Sequence, residues 1–339
     1  MSKNAAVIYW GSRGGGPRQL LNLVRSKQKE NRRLFFYASS NNELLHELQA
    51  ETTSQLEVNS IPRSKFRLLS DLRLRNSTIK SVIADLESKE ISRVYFLLPH
   101  PWDLYLAKKI TRGGKIEVWR GIHDLRRHPG DLWPNLFTTR RLIQYSTTLI
   151  CFSSHIEKEL LKHGKPVIRS HLFEVNRSPK VHLTGSSVLF VGRFRKYKGL
   201  NLLAKAWPLV LNSNKTLTVA GKGRFPNKLQ KNGAHIIEKW LSNSEIEELV
   251  SKSNLVVLPY IEASQSGVIA IAHSLSTPVV VTPVGGLMEQ VIEGRNGLIS
   301  EKATPKSLAS AIDAALATDW KLESAENPLP DFLSKLQRG

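Results

Sequence analysis

Runs of apolar residues alternate with helical spacings along the second half of the chain. SSVLFVG (186–192), KTLTVAG (215–221), NLVVLPY (254–260) and TPVVVTPV (277–284) are apolar almost throughout and predict buried strands. Between and after them, GLNLLAKAWPLVLN (199–212), SNSEIEELVSKS (242–253), SGVIAIAHSLS (266–276) and GLMEQVIEG (286–294) carry helical spacing. Fully apolar strands each followed by a helix predict a parallel sheet covered on both faces, a doubly wound domain.

The first half opens in the same way. NAAVIYWG (4–11) predicts a strand, PRQLLNLVRSKQKE (17–30) a helix and RLFFYAS (33–39) a strand. Periodicity weakens between 50 and 80, then recovers in the strand candidates SRVYFLLP (92–99), KIEVWRG (115–121) and TTLICFSS (147–154). A second doubly wound domain is expected here. RSHLFEVNRSPKVHLTG (169–185) lacks a period and is the expected linker. The reading is therefore an α/β protein of two Rossmann-like parallel-sheet domains facing across a cleft: an N-terminal domain at 1–175, a C-terminal domain at 186–320, and a tail at 321–339. A ligand is expected at the carboxyl ends of the strands.

Length agrees, since 339 residues exceed the usual size of one hydrophobic core. With 41% hydrophobic and 23% charged residues, the disordered and collagenous classes are excluded. No apolar stretch is long enough to span a bilayer, and the N-terminus turns polar too soon for a signal peptide, so a cytoplasmic protein is expected. Cys151, the only cysteine, reads as a small buried residue.

The chain is strongly basic. The 49 Lys+Arg against 29 Asp+Glu leave +20, and residues 1–180 hold 31 of those cations but only 16 of the acids. An anionic partner is implied: nucleic acid, an acidic membrane or a phosphorylated small molecule. RRM, KH and helix-turn-helix signatures are absent, which disfavours nucleic acid.

Two loops carry candidate phosphate chemistry. In GSRGGGPRQLL, Gly14, Gly15 and Gly16 precede a helix and either cradle an anion or make a tight turn. Their spacing matches neither a dinucleotide fingerprint nor a P-loop. In VLFVGRFRKYKGLNLL, Gly192 ends a strand, Arg193 follows it, and Lys198 stands beside Gly199 at a helix start. A guanidinium fork and an ammonium suit a diphosphate, although a solvated basic loop fits the spacing equally.

VGRFRKYKGLNLL, with TVAGKG (218–223), WLSNSEIEELVSKSNLVVLPY (240–260) and TPVVVTPVGGLMEQVIEGRNGLI (277–299), resembles the nucleotide-sugar-binding domain of the retaining GT-B glycosyltransferases of family GT4. The resemblance implies that Arg193 and Lys198 grip the donor diphosphate and that Gly221 and Gly223 shape the wall near the base. The family's usual pair of glutamates is incomplete. Glu262 is a candidate for the first, with Ala270 eight residues on; counting back from Pro278 instead puts Ile271 at the second and Ala263 at the first. Neither register supplies the second acid, leaving Gln265, Ser266 and the Gly267 backbone as polar substitutes. The SQSG run at 264–267 is similar to that of a variant branch of the family.

HPWD (100–103) and RGIHDLRRHPGDLW (120–133) place histidines and aspartates after predicted strands without a metal-ligand spacing, and DxD is absent. The resemblance implies that His123, with Asp124, faces the donor sugar from the acceptor domain; His128 and Asp131 are weaker candidates. Each of these histidines also fits a structural role. The implied activity is metal-independent and needs no cofactor. It transfers a sugar with retention from a nucleotide-diphosphate sugar to a sugar or lipid-linked acceptor hydroxyl. Two rivals are a GT-B-like protein that binds nucleotide sugar without transfer and a basic nucleic-acid-binding protein. RSKFRLLSDLRLR (63–75) interleaves five cations with Phe66, Leu68, Leu69, Leu72 and Leu74. That composition predicts peripheral attachment to an anionic membrane at its inner face, and cell-surface polysaccharide or glycolipid as the product.

Overall fold

The computed structural model describes residues 3–26, 33–52, 55–125, 136–172, 174, 185–322 and 329–338. The chain divides into two units, Met1–His171 with Asn327–Gly339, and Leu172–Glu326.

The first unit runs β1 (Asn4–Tyr9), α1 (Gly15–Ser26), β2 (Leu34–Ser39), α2 (Leu45–Glu51), β3 (Leu56–Asn59), α3 (Lys65–Ser70), α4 (Leu72–Ser88) and β4 (Ile91–Phe96). It continues with α5 (Asp103–Gly113), β5 (Glu117–Gly121), α6 (Leu136–Gln144), β6 (Thr148–Cys151), α7 (Ser154–Leu161) and β7 (Val167–Arg169). Its seven strands lie in the order β3-β2-β1-β4-β5-β6-β7 and pair in parallel throughout. Ala5, Ala6, Val7 and Ile8 are at most 1% exposed because helices cover both faces.

In the second unit β8 (Ser186–Val191), α8 (Leu200–Ala206), β9 (Lys215–Gly221), α9 (Asn227–Lys231), β10 (His235–Glu238) and α10 (Asn243–Ser251) come first. There follow β11 (Leu255–Leu258), α11 (Gly267–Ser274), β12 (Val279–Val281), α12 (Leu287–Gln290), β13 (Gly297–Ile299) and α13 (Pro305–Ala317). The order is β10-β9-β8-β11-β12-β13, again all parallel. Leu255–Leu258 and Val279–Val281 are fully buried, as their unbroken apolar runs require. Ser242 and Glu245 form a capping box that starts α10.

Two stretches differ from the sequence pattern. The weak region 50–80 holds β3, α3 and the long α4, whose inner face is only Thr78, Ile79, Val82 and Leu86. After 320, the expected tail contains α14 (Leu329–Gln337), an amphipathic helix that packs on α1, β1 and β4 of the first unit. Leu329, Phe332, Leu333 and Leu336 are its buried face.

Candidate functional site

In each sheet the strand order turns back on itself once, between β1 and β4 and between β8 and β11. A crevice opens at the carboxyl ends of such a strand pair, because the two chains leave toward opposite faces. The two crevices are furnished differently.

In the second unit the segment after β8 meets the segment after β11. Gly192 has φ 140°, and its N–H donates to Ala220 O at 3.0 Å, so this loop continues beside the end of β9. A Cβ on Gly221 (φ 150°) would lie 1.8 Å from Gly192 O, and one on Gly223 would lie 2.7 Å from Phe194 O. These glycines let two backbones approach where any side chain would part them. Arg193 stands exposed on the rim.

Residues 196–198 form a short 3-10 turn closed by Gly199 in the left-handed region at φ 70°. A Cβ there would fall 1.6 Å from Pro259 O, so the turn is pressed against the end of β11. Ile261 N–H donates to Tyr197 O at 2.8 Å and locks the two segments together. Lys198 Nζ lies 3.7 Å from the centre of the buried Tyr260 ring. Burial drives the Tyr260 hydroxyl well above its ordinary pKa, so the ring remains neutral beside the ammonium.

The SQSG run follows. Ser266 N–H donates to Gln290 Oε1 at 2.7 Å, and Gln290 Nε2 donates to Ser266 O at 3.1 Å. One side-chain amide thus satisfies both backbone groups of Ser266, whose hydroxyl is 3.4 Å from Tyr260 OH. Ser266 is buried, whereas Glu262 and Gly267 are exposed and Gln265 is half-buried. Ala270 and Ile271, the two registers for the missing acid, are buried in α11. The structure therefore gathers Gly192, Arg193, Lys198, Glu262, Gln265, Ser266 and Gly267 at the β8/β11 crevice, with Gly221 and Gly223 on its β9 side. Tyr260 and Gln290 escape sequence reasoning. Tyr260 could have been noticed as an aromatic ending a strand, but nothing local marks Gln290.

The crevice of the first unit is packed. Trp10 after β1 and His100 and Trp102 after β4 make edge-to-face contacts at 5.9–6.4 Å. Trp102 N–H donates to His100 Nδ1 at 3.2 Å, and Asp103 receives His100 N–H at 2.8 Å and Arg120 Nη1 at 3.1 Å. Burial pushes His100 down to about 3 and Asp103 up to about 6, the latter against the opposing pull of Arg120. HPWD is thus a buried knot. Gly14 N–H donates to Glu43 Oε1 at 2.8 Å, and Tyr9 fills the space that Cβ atoms at Gly11 and Gly16 would need. Glu43 must withdraw before the Gly14 amide can meet a phosphate.

His123 lies just past β5, stacked on Phe152 at 4.3 Å and hydrogen-bonded to the Leu97 backbone. Burial lowers it to about 4, with Asp124 opposing the shift, so the imidazole is neutral at physiological pH. His128 and Asp131 lie outside the described residues. Among the described residues, no cluster of three or more His, Cys, Asp or Glu could hold a metal ion, and no helix is long and apolar enough to cross a membrane.

Residues 185–318, which contain the whole β8/β11 crevice, match the family described as glycosyl transferases group 1. This stretch is similar to a group 1 glycosyltransferase domain. Two similar proteins come from Methanocaldococcus jannaschii, both named uncharacterized glycosyltransferases. MJ1607 is 32% identical over 142 residues, covering 39% of this chain and 36% of its own. MJ1178 is 30% identical over 207 residues, covering 56% of this chain and 57% of its own. The chain thus spans little more than half, at most, of these relatives. In fold it is similar to Anabaena Alr3699/HepE solved with UDP and glucose, with a TM-score of 0.69 at 14% identity over 93% of this chain and 90% of that one. The two parallel-sheet units thus have the two-domain GT-B fold.

Proposed function

We propose that the chain is a retaining glycosyltransferase that moves a sugar from a nucleotide-diphosphate sugar to an acceptor hydroxyl without a metal ion. The observation that carries this reading is the β8/β11 crevice of the second unit. There Lys198 is braced on Tyr260 and Arg193 stands at the rim of a glycine-built wall.

Breaking the glycosidic bond leaves negative charge on the departing diphosphate. Cations already fixed in place stabilise that charge more than they stabilise the intact donor, which lowers the barrier. Arg193 supplies a planar fork and Lys198 a point charge, the tasks a metal performs elsewhere. The acceptor oxygen bonds to the anomeric carbon on the face the diphosphate leaves, and the acceptor proton passes to the leaving phosphate oxygen. No protein nucleophile is consumed. On the resemblance, His123 orients the sugar with Asp124 beside it, Gly221 and Gly223 border the base, and Glu262, Gln265, Ser266 and Gly267 serve the sugar and ribose.

The acceptor is a sugar or a lipid-linked sugar met at the cytoplasmic membrane face, and the product is a cell-surface polysaccharide or glycolipid. The cation excess of the first half supports this part of the reading. Buried Ala270 and Ile271, with no acid at either register, favour one rival: a protein that binds nucleotide sugar without transfer. A panel of nucleotide sugars separates the two. Release of free nucleoside diphosphate from one donor, accelerated by an acceptor, supports transfer; saturable binding with no release supports the rival.

A further inference from the structure

Phe66, Leu69 and Leu72 are 78%, 66% and 53% exposed. Three large apolar side chains within seven residues are an unusual concentration for a water-facing surface. The segment that carries them is firmly held. Leu68 and Leu74 pack against the core of the first unit, Leu68 O accepts Trp102 Nε1–H at 2.7 Å, and Asp71 caps α4 by accepting Leu74 N–H at 3.0 Å. Anchoring α3 through Leu68 turns Phe66 and Leu69, three residues apart and so on one side, toward solvent.

Cations surround these side chains. Arg67 and Arg73 are exposed, Arg63 is steadied by a 2.7 Å bond to Asn41, and the Arg75 guanidinium lies 3.6 Å over the half-exposed ring of Tyr105 on α5. The one acid from 58 to 75 is Asp71, already engaged as the α4 cap. The surface asks for a partner that is anionic and apolar together. A nucleic acid backbone answers the guanidiniums but leaves the three apolar side chains in water. An anionic bilayer answers both, with phosphates at headgroup depth and hydrocarbon below.

We infer that α3 and the start of α4 dock on an anionic lipid bilayer, with Phe66, Leu69 and Leu72 entering the acyl boundary and Arg67 and Arg73 meeting the headgroups. This deepens the membrane part of the proposed function and rests on it. The surface is on the edge of the sheet where chemistry is expected: Trp102, which holds Leu68, follows the carboxyl end of β4, and His123 follows that of the neighbouring β5. A lipid-linked acceptor would enter the first unit from the edge that touches the membrane.

The 339-residue chain is floated with vesicles of phosphatidylcholine alone and of phosphatidylcholine mixed with phosphatidylglycerol. Binding is expected on the mixed vesicles only. Arg67→Gln and Arg73→Gln should each weaken it roughly fivefold, the equivalent of about 1 kcal/mol. The triple variant Phe66→Ser, Leu69→Ser, Leu72→Ser should weaken it more than tenfold with an unchanged Tm, since none of the three side chains is buried. Phe66→Cys can be labelled with a polarity-sensitive dye while Cys151 stays buried, and should shift to the blue on the mixed vesicles. Four results would overturn the inference: no flotation, equal flotation on neutral vesicles, wild-type flotation of the triple variant, or a dimer in solution that the triple variant dissolves. Donor turnover measured without lipid reports the transferase reading separately. A chain that consumes donor but does not float keeps the activity and loses the docking surface; one that floats and consumes nothing does the reverse.

Discussion

The Lys198 ammonium rests 3.7 Å from the centre of the Tyr260 ring, so the candidate diphosphate clamp is aimed by an aromatic side chain 62 positions along the chain. The contact holds a flexible lysine in one place before substrate arrives. Lys198→Ala and Arg193→Ala should each lower kcat roughly a hundredfold, about 2.7 kcal/mol. Tyr260→Leu should cost about tenfold by releasing the lysine, whereas Tyr260→Phe keeps the ring and should stay near wild type. Steady-state kinetics on the donor test this. Near wild-type turnover in the Arg193/Lys198 double alanine variant would remove the clamp.

Gln290 supports the crevice from below through Ser266. Gln290→Leu leaves the buried Ser266 N–H without its partner, while the Ser266 carbonyl keeps Ile269 N–H at 3.3 Å; the cost is about 1–3 kcal/mol, which chemical denaturation can measure. Nucleoside diphosphate affinity should fall with it, as the loop bearing Gln265 and Gly267 loosens. Gln290→Glu keeps an acceptor for the N–H but loses the donor, so it should be intermediate. Equal stability of all three proteins would show that the loop holds itself.

With two cations in the clamp, activity should survive exhaustive chelation. His123→Ala should lower kcat and leave nucleoside diphosphate affinity within about twofold, since the role assigned to it concerns the sugar. Loss of activity in EDTA that Mn²⁺ restores would overturn the metal-free reading, and parallel loss of diphosphate affinity would overturn the assignment of His123.

Three imidazoles make the fold sensitive to acid. Burial holds His100 at about 3 and His123 and His273 at about 4, whereas each titrates near about 6.5 in an unfolded chain. Between those values the unfolded state binds more protons, so stability falls as pH falls through this window. Asp103 acts in the opposite sense. Raised to about 6, it holds a proton in the folded state that the unfolded chain, titrating near about 3.9, has released, so its contribution grows as pH drops from about 6 to about 4. Three groups outweigh one, and Tm should decline from pH 7 to pH 4.5. His100→Asn should start lower, through lost packing on Trp10 and Trp102, and decline less steeply. An undiminished slope would contradict the buried neutral histidine.

Most of the second unit is legible because its strands are buried on both faces and read as unbroken apolar runs. α4 is not, because most of its residues face solvent and its buried face is only Thr78, Ile79, Val82 and Leu86. The site divides in the same way. Gly192, Arg193 and Lys198 lie within seven residues and announce themselves. Tyr260 and Gln290 act through contacts with segments 62 and 24 positions away, and no local pattern records such a contact. The run 321–339 reads as a tail because its apolar residues gain meaning only on the surface of the first unit.

That surface supplies the last test. Arg93 on β4 donates through Nη1 to the carbonyls of Lys335, Leu336 and Arg338 at 3.0, 2.8 and 2.8 Å, closing the end of α14. Its other edge pairs with Glu117 at 2.7 Å, and its plane lies 4.4 Å from the Trp119 ring. Three orphan carbonyls at a helix end are met by one cation, which also suits the negative end of the helix dipole. Phe332 adds an edge-to-face contact with Tyr95 at 5.1 Å. Arg93→Ala should cost roughly 3 kcal/mol, and Arg93→Lys should recover only part of it, because an ammonium lacks the planar spread that serves carbonyls and Glu117 together. Phe332→Ala should cost about 3–5 kcal/mol. Hydrogen exchange distinguishes anchoring from general damage: in Arg93→Ala the amides of residues 332–337 should lose protection before those of β1 and β4. Simultaneous loss across the sheet would mean that Arg93 serves the core of the first unit rather than the attachment of α14.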